Sequence, residues 1–424
     1  MAKQRNRKKD GPAVSGAVSR AWLERLGSGP VRWLGFALAL WLMLAVLYPG
    51  PVFEGAVFGA SDTANAEAFE RIGNAALAEG DYPLWNPYLF CGMPTFGSTA
   101  YVRFLYPPTE VFNFLQNSLG FVPLTWMLGH LMFGGLGMIW LLRRWRLPAG
   151  ALLLGAAVWL LMPKVVAWGV HGHGSKLVAA MYLPWIVGWS LRVLDGAGPR
   201  AVGMTGLMLG LQFLIGHPQI SYYTLLATGW LGLWRTILPG AAAAATPVRW
   251  RRFALMFGGI ALGFLLAAII LVPQHGYSGI SIRGQDTEGG GGVGLDYATG
   301  WSLAPAETGT LVLPAAAGLG KATYHGLMPF TDYPNYFGFL VFALAAAAFL
   351  DRGFRKTAAA LAIMAFLALM VAFGNFVFGL YELLYQVLPF FNKFRIPSMI
   401  LILMGFALAI MASRGAARLA ADAT

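Results

Sequence analysis

The run FVPLTWMLGHLMFGGLGMIWLL, residues 121–142, decides the fold class. It carries no Asp, Glu, Lys or Arg over 22 residues and stops at Arg143-Arg144-Trp145-Arg146. At a rise of about 1.5 Å per residue, a helix of that length crosses a hydrocarbon layer about 30 Å thick. Nine more apolar runs recur on either side of it, at about 32–48, 150–170, 176–194, 201–216, 219–238, 253–273, 335–350, 357–374 and 397–413. The whole chain is 58% hydrophobic and only 11% charged, with mean hydropathy +0.62. The expected architecture is an all-α integral membrane protein with about ten transmembrane helices.

The basic residues orient these runs, because Lys and Arg collect on the cytoplasmic side. With the N-terminus inside and the spans alternating, 22 of the 30 Lys and Arg fall inside and 13 of the 18 Asp and Glu fall outside. Both termini are then cytoplasmic. Residues 1–31 form a basic tail, 32–413 the membrane domain and 414–424 a short second tail. Two long loops face outward, 49–120 and 274–334. The net charge of +12 reads as sidedness plus attraction to anionic lipid heads, and no folded nucleic-acid reader accompanies it.

Several other classes are set aside. The lone Cys91 excludes an intrachain disulfide and a multi-cysteine metal site. No small-residue cleavage site follows the first apolar run, so that run is expected to remain as an anchor. Gly289, Gly291 and Gly294 spell GxGxxG inside the glycine-rich stretch 284–294, but no strand precedes them and no helix follows. That stretch reads as a mobile flap.

The chemistry is expected in the outward turns. The loop 49–120 places Asp62 just past the first span, before an amphipathic helix expected over 63–78. On that helix Phe69, Ile72 and Ala76 share one face, with Glu67, Glu70 and Glu79 near the other. Pro83-Leu84-Trp85-Asn86-Pro87 follows. His171, His173 and Lys176 lie between spans three and four; His217 and Gln219 join spans five and six. Asp332 precedes span eight, and Lys393 and Arg395 precede span ten. Ionisable groups at membrane depth are costly and usually have a partner or a ligand. Cations opposite one carboxylate suit a substrate with a phosphate on a lipid.

Five stretches resemble the YfhO-type bacterial membrane proteins, a branch of the GT-C superfamily of polyprenyl-linked glycosyltransferases. They are Ser61-Asp62-Thr63, Pro83 to Pro87 continuing to Gly92-Met93-Pro94, Gly172 to Lys176 with Tyr182-Leu183-Pro184, His217 to Tyr223, and Phe391 to Met399. Such proteins usually run longer with more spans, so the chain is read as a fragment or a minimal version. The resemblance implies transfer of a sugar from a polyprenyl-phosphate donor to an envelope glycan or polymer acceptor. The reaction would take place on the outer face of the bacterial cytoplasmic membrane. It assigns Asp62 as the catalytic base. An ionised aspartate could accept the proton of an attacking hydroxyl. Lys176, Lys393, Arg395 and His173 would bind the donor phosphate, and Trp85, Asn86, His217, Gln219 and Asp332 would line the substrate site. A divalent ion, used by some GT-C enzymes, is demanded by no HExxH or paired-acid spacing. The synthase that makes the donor is an implied partner.

Bland readings stand beside these. Asp62 could cap the helix starting at Thr63. Trp85 and Asn86 could stiffen a proline-flanked turn, His217 could cap the end of span five, and Lys393 and Arg395 could be snorkelling anchors. The competing functions are a transporter or flippase for a lipid-linked or anionic substrate, and a noncatalytic partner in envelope assembly. A transporter should show broken helices and mid-membrane charge.

Overall fold

The computed structural model describes residues 29–89, 91–99, 105–239, 244–281, 283–284, 293–329, 334–377 and 379–422. The basic tail before residue 29, most of the glycine-rich stretch and Asp332 lie outside the described residues. Helix covers each of the ten apolar runs. By length and composition, five helices can cross a membrane, or seven if two bent pairs each count as one span.

The elements run as follows. Helix α1 spans Pro30–Leu47, and the long loop after it folds α2 (Ser61–Ala78) and α3 (Pro108–Leu119). Helix α4 is Thr125–Leu142, and a bent pair follows, α5 (Ala149–Leu160) and α6 (Pro163–Val170). Helices α7 (Gly174–Met181) and α8 (Leu183–Asp195) together make one span of 22 residues. Next come α9 (Pro199–Leu214), α10 (Pro218–Ile237) and a second bent pair, α11 (Thr246–Leu266) and α12 (Ala268–Ser278). After the second long loop stand α13 (Phe339–Ala347), α14 (Arg355–Ala372), α15 (Leu380–Val387) and α16 (Leu401–Asp422).

Two spans form the centre, Gly174–Asp195 and Pro397–Asp422, each 89% buried inside the protein. Helix α8 packs on α4, α9 and α10, while α16 packs on α5, α13 and α14. Peripheral helices keep apolar faces turned outward; α1 leaves Leu34, Leu38 and Val46 exposed, which suits a lipid neighbour. Lipid gives helices little hydrophobic reason to associate, so close packing of small residues takes over. Gly206 and Gly210 on α9 face Gly259 and Gly263 on α11. A Cβ at Gly206 would lie 2.9 Å from the Gly259 carbonyl, and one at Gly259 the same distance from the Val202 carbonyl.

Three departures from the sequence expectation have local causes. The run 150–170 is not one straight span: it bends by 48° ahead of Pro163, whose ring disfavours helix in the residue before it. The run 253–273 bends by 73° at Ala267. Pro273 sits inside α12, and its ring crowds the carbonyl four residues earlier, beside that break. The helix of the first long loop starts at Ser61, not Thr63, so Ala60 is its cap and Asp62 lies within its first turn. The cap reading of Asp62 therefore fails, although a carboxylate there does favour the helix dipole.

Candidate functional site

The turn between α6 and α7 brings the long loop after α1 onto the bundle. Gly172 makes the approach: its φ is +78°, and a Cβ on it would lie 2.6 Å from the Thr63 amide nitrogen and 2.7 Å from Thr63 Oγ1. Only glycine fits both the left-handed backbone and the contact. With the backbones that close, His173 Nε2 reaches Asp62 Oδ2 at 3.1 Å. Asp62 keeps half its side-chain surface exposed (49%), so an incoming molecule can reach it.

The contact is a hydrogen bond, not an ion pair. Burial pushes the His173 imidazole down to about 4, and the neighbouring Lys176 ammonium pushes the same way. The Asp62 carboxylate favours the charged ring but is outweighed. An uncharged imidazole thus donates to the Asp62 carboxylate and orients it.

Cations close around this pair. Lys176, half-buried on the first turns of α7, lies within electrostatic reach of both Asp62 and Arg395. The Arg395 guanidinium contacts the Tyr297 hydroxyl and stacks over the rings of Tyr297 at 5.2 Å and Trp301 at 5.7 Å. Its backbone carbonyl accepts from Gln219 Nε2 at 2.6 Å, and the same amide nitrogen donates to the Tyr223 hydroxyl at 2.8 Å. Gln219 therefore ties the 391–397 segment to α10. Arg283 donates to the Lys393 carbonyl at 2.5 Å. Burial and then Arg395 hold the Arg283 proton affinity below its usual range.

His217 caps the start of α10 rather than the end of α9: its Nδ1 accepts the Ile220 amide at 3.3 Å. Burial, followed by Lys176 among its neighbours, pushes this imidazole down to about 3. A neutral ring that accepts at Nδ1 carries its proton on Nε2. Lys164 on α6 is wholly inside the protein and donates to the Ser398 carbonyl at 2.7 Å.

The structure brings Asp62, His173, Lys176, His217, Gln219 and Arg395 to one place. Lys393 joins through its backbone carbonyl; its ammonium is not among the charges acting on His173, His217 or Arg283. Trp85 and Asn86 are built into the loop's own structure. They form strand β1 (Trp85–Asn86), paired antiparallel with β2 (Met93–Pro94), and the Trp85 ring lies against Gly92. Asn86 is fully buried and its Oδ1 accepts the Tyr88 amide at 2.9 Å, a turn-stiffening role. Its amide nitrogen has no partner among the described residues.

Arg283, Lys164, Tyr297 and Trp301 were missing from the expected set. Arg283 breaks the sidedness rule just as Arg395 does, and Lys164 is a charge inside an apolar run; either signal would have found them. Among the described residues, no three His, Cys, Asp or Glu side chains gather as a metal ligand set. Comparison with protein-family models and with curated proteins finds no match.

Proposed function

We propose that this chain is a membrane glycosyltransferase that moves a sugar from a polyprenyl-phosphate carrier to an envelope acceptor. In this reading it has ten spans with both ends cytoplasmic, in the cytoplasmic membrane of a bacterium, and Asp62 faces outward. One observation carries the reading. A single accessible carboxylate, hydrogen-bonded to a neutral imidazole, sits among Lys176, Arg283 and Arg395. Gathering those cations in a partly buried place costs free energy, and a bound phosphate would relieve it.

The chemistry follows from that charge arrangement. The acceptor hydroxyl oxygen attacks the anomeric carbon of the donor sugar, and Asp62 takes the hydroxyl proton. The bond from that carbon to the phosphate oxygen breaks, and the electron pair leaves with the polyprenyl phosphate. Arg395, Arg283 and Lys176 stabilise the departing charge. His173 positions Asp62, and the stack on Tyr297 and Trp301 holds Arg395 in one orientation.

The test is transfer from a panel of radiolabelled polyprenyl-phosphate sugars to envelope acceptors in proteoliposomes. Wild-type transfer that collapses in a folded Asp62→Asn variant supports the enzyme and its base; transfer unchanged by that substitution removes Asp62. A transporter is the second reading, favoured by the two bent spans and by Lys164 beside one bend. Movement of a lipid-linked sugar between leaflets without transfer would select it. Binding of the lipid phosphate with neither activity would point to a noncatalytic partner.

A further inference from the structure

The span Gly174–Asp195 has Lys176 near one end and a second charged place at the other. There the ends of α4 and α8 enclose an open cleft of about 400 Å³, lined by Trp140, Arg143, Arg144, Gly188, Arg192 and Asp195 among others. Asp195 is occupied: Arg144 reaches it at 2.6 Å and Arg235 at 3.4 Å. The other two guanidiniums are held differently. Arg143 lies over the Trp33 ring at 5.1 Å, and Arg192 over Trp140 and Trp189 at 5.4 Å each. Neither has a hydrogen bond or ion pair among the described residues. Stacking fixes the planes of two always-charged forks and leaves their N–H groups to a ligand.

The floor of the cleft continues along α4 and α8. Gly188 lets the Trp140 ring lie flat on α8, where a Cβ would meet that ring at 2.3 Å. Trp140 stacks on Trp185 at 5.1 Å, and Trp185 on Phe133 at 5.2 Å. All three rings are half-buried. The Trp185 indole nitrogen donates to the Phe133 carbonyl at 3.0 Å, so its polar edge is satisfied. The result is an apolar aromatic strip leading away from a cationic mouth.

We infer that this cleft binds a membrane phospholipid, with the phosphate on Arg143 and Arg192 and an acyl chain along Trp140, Trp185 and Phe133. The shared chemistry is a phosphate ester, and the strip is what selects a lipid over a soluble phosphate. This site is independent of the Asp62 cluster and of the reaction proposed for it.

Native mass spectrometry of the delipidated full chain, titrated with phosphatidylglycerol, phosphatidylcholine and glycerol 3-phosphate, tests the assignment. Phosphatidylglycerol should bind at least tenfold more tightly to wild type than to Arg143→Gln/Arg192→Gln, whereas Arg251→Gln, an exposed arginine outside the cleft, should match wild type. Glycerol 3-phosphate should bind at least tenfold more weakly than phosphatidylglycerol. Equal phosphatidylglycerol binding in wild type and the double variant would overturn the site. So would an equal loss in Arg251→Gln, which would mean general surface attraction. Glycerol 3-phosphate binding as tightly as the lipid would make this a soluble-phosphate site. If the glutamine variant fails gel filtration, Arg143→Lys/Arg192→Lys reads the same contact through loss of the fork alone. A several-fold weakening there supports the site, and unchanged binding overturns it.

Discussion

Asp62 and Asp195 are two partly exposed carboxylates near opposite ends of the same span, and they are held in opposite ways. Asp195 sits between two guanidiniums, at 2.6 and 3.4 Å. Its partners carry fixed charge, so the acid is compensated and its lone pairs are taken. Asp62 meets an imidazole that burial and Lys176 keep neutral, so its charge is oriented but not cancelled. Lys176 lies within electrostatic reach of Asp62. A carboxylate of the first kind suits structure; one of the second kind can accept a proton.

The largest effect should separate these two acids. Asp62→Asn is expected to lower sugar transfer by a factor on the order of 10²–10⁴ with little change in thermal stability. Asp195→Asn should leave transfer near wild type and cost about 1 kcal/mol or less, as exposed ion pairs usually do. Transfer assays and differential scanning calorimetry on the two variants read both effects. Comparable rate losses in both would break the contrast.

Next in size comes the backbone approach that makes the Asp62 contact. Gly172→Ala places a methyl against the Thr63 amide in a left-handed conformation, which should cost about 1–3 kcal/mol and separate His173 from Asp62. Transfer should fall roughly as far as in Asp62→Asn. A folded variant with full activity would show that the His173 contact is dispensable.

How much of this was readable beforehand differs between scaffold and site. The apolar runs located the helices because a membrane-spanning helix needs a fixed length of uncharged residues, a local property. The bends were not readable as such, because a proline in a long apolar run marks a kink without stating its angle. Asp62, His173, Lys176 and Arg395 were readable as ionisable groups on the acid-rich side. Their pairing was not. The fit of Gly172 onto Thr63 joins segments far apart in sequence, and Gln219 became a tether only once Tyr223 and the Arg395 carbonyl were in place. The hairpin of Trp85 and Asn86 with Met93 and Pro94 was unreadable for the same reason, because it depends on register.

A smaller effect concerns the pH at which the Asp62 contact fails. An ordinary histidine takes a proton near pH 6.5, whereas His173 in its place does so only near about 4. The displaced ring binds the proton more readily, so the contact is fully stable above about pH 6.5 and loses stability as pH falls toward about 4. Solid-state NMR of ¹⁵N-histidine-labelled protein in bilayers should find His173 neutral at pH 5.5. A charged ring at that pH would turn the contact into an ion pair like that of Asp195 and erase the distinction.

A small change in stability is also expected at Lys164, and it asks how far the cation cluster extends. Its ammonium is buried with one carbonyl, Ser398, as hydrogen-bond partner, and Lys176 is near enough to interact with it. Lys164→Met keeps the length of the side chain and removes the buried charge. It leaves the Ser398 carbonyl without its donor, a loss of about 1–3 kcal/mol that relief of the charge offsets. Stability should therefore move by about 1 kcal/mol or less. If Lys164 only supports the bend before Pro163, transfer should stay within about twofold of wild type, because Met can fill the same space. If its charge belongs with Lys176 and Arg395 in holding a phosphate, the Michaelis constant for the donor should rise while thermal stability stays level. Measuring both quantities on this one variant decides whether the cation cluster ends at Lys176 or extends to Lys164.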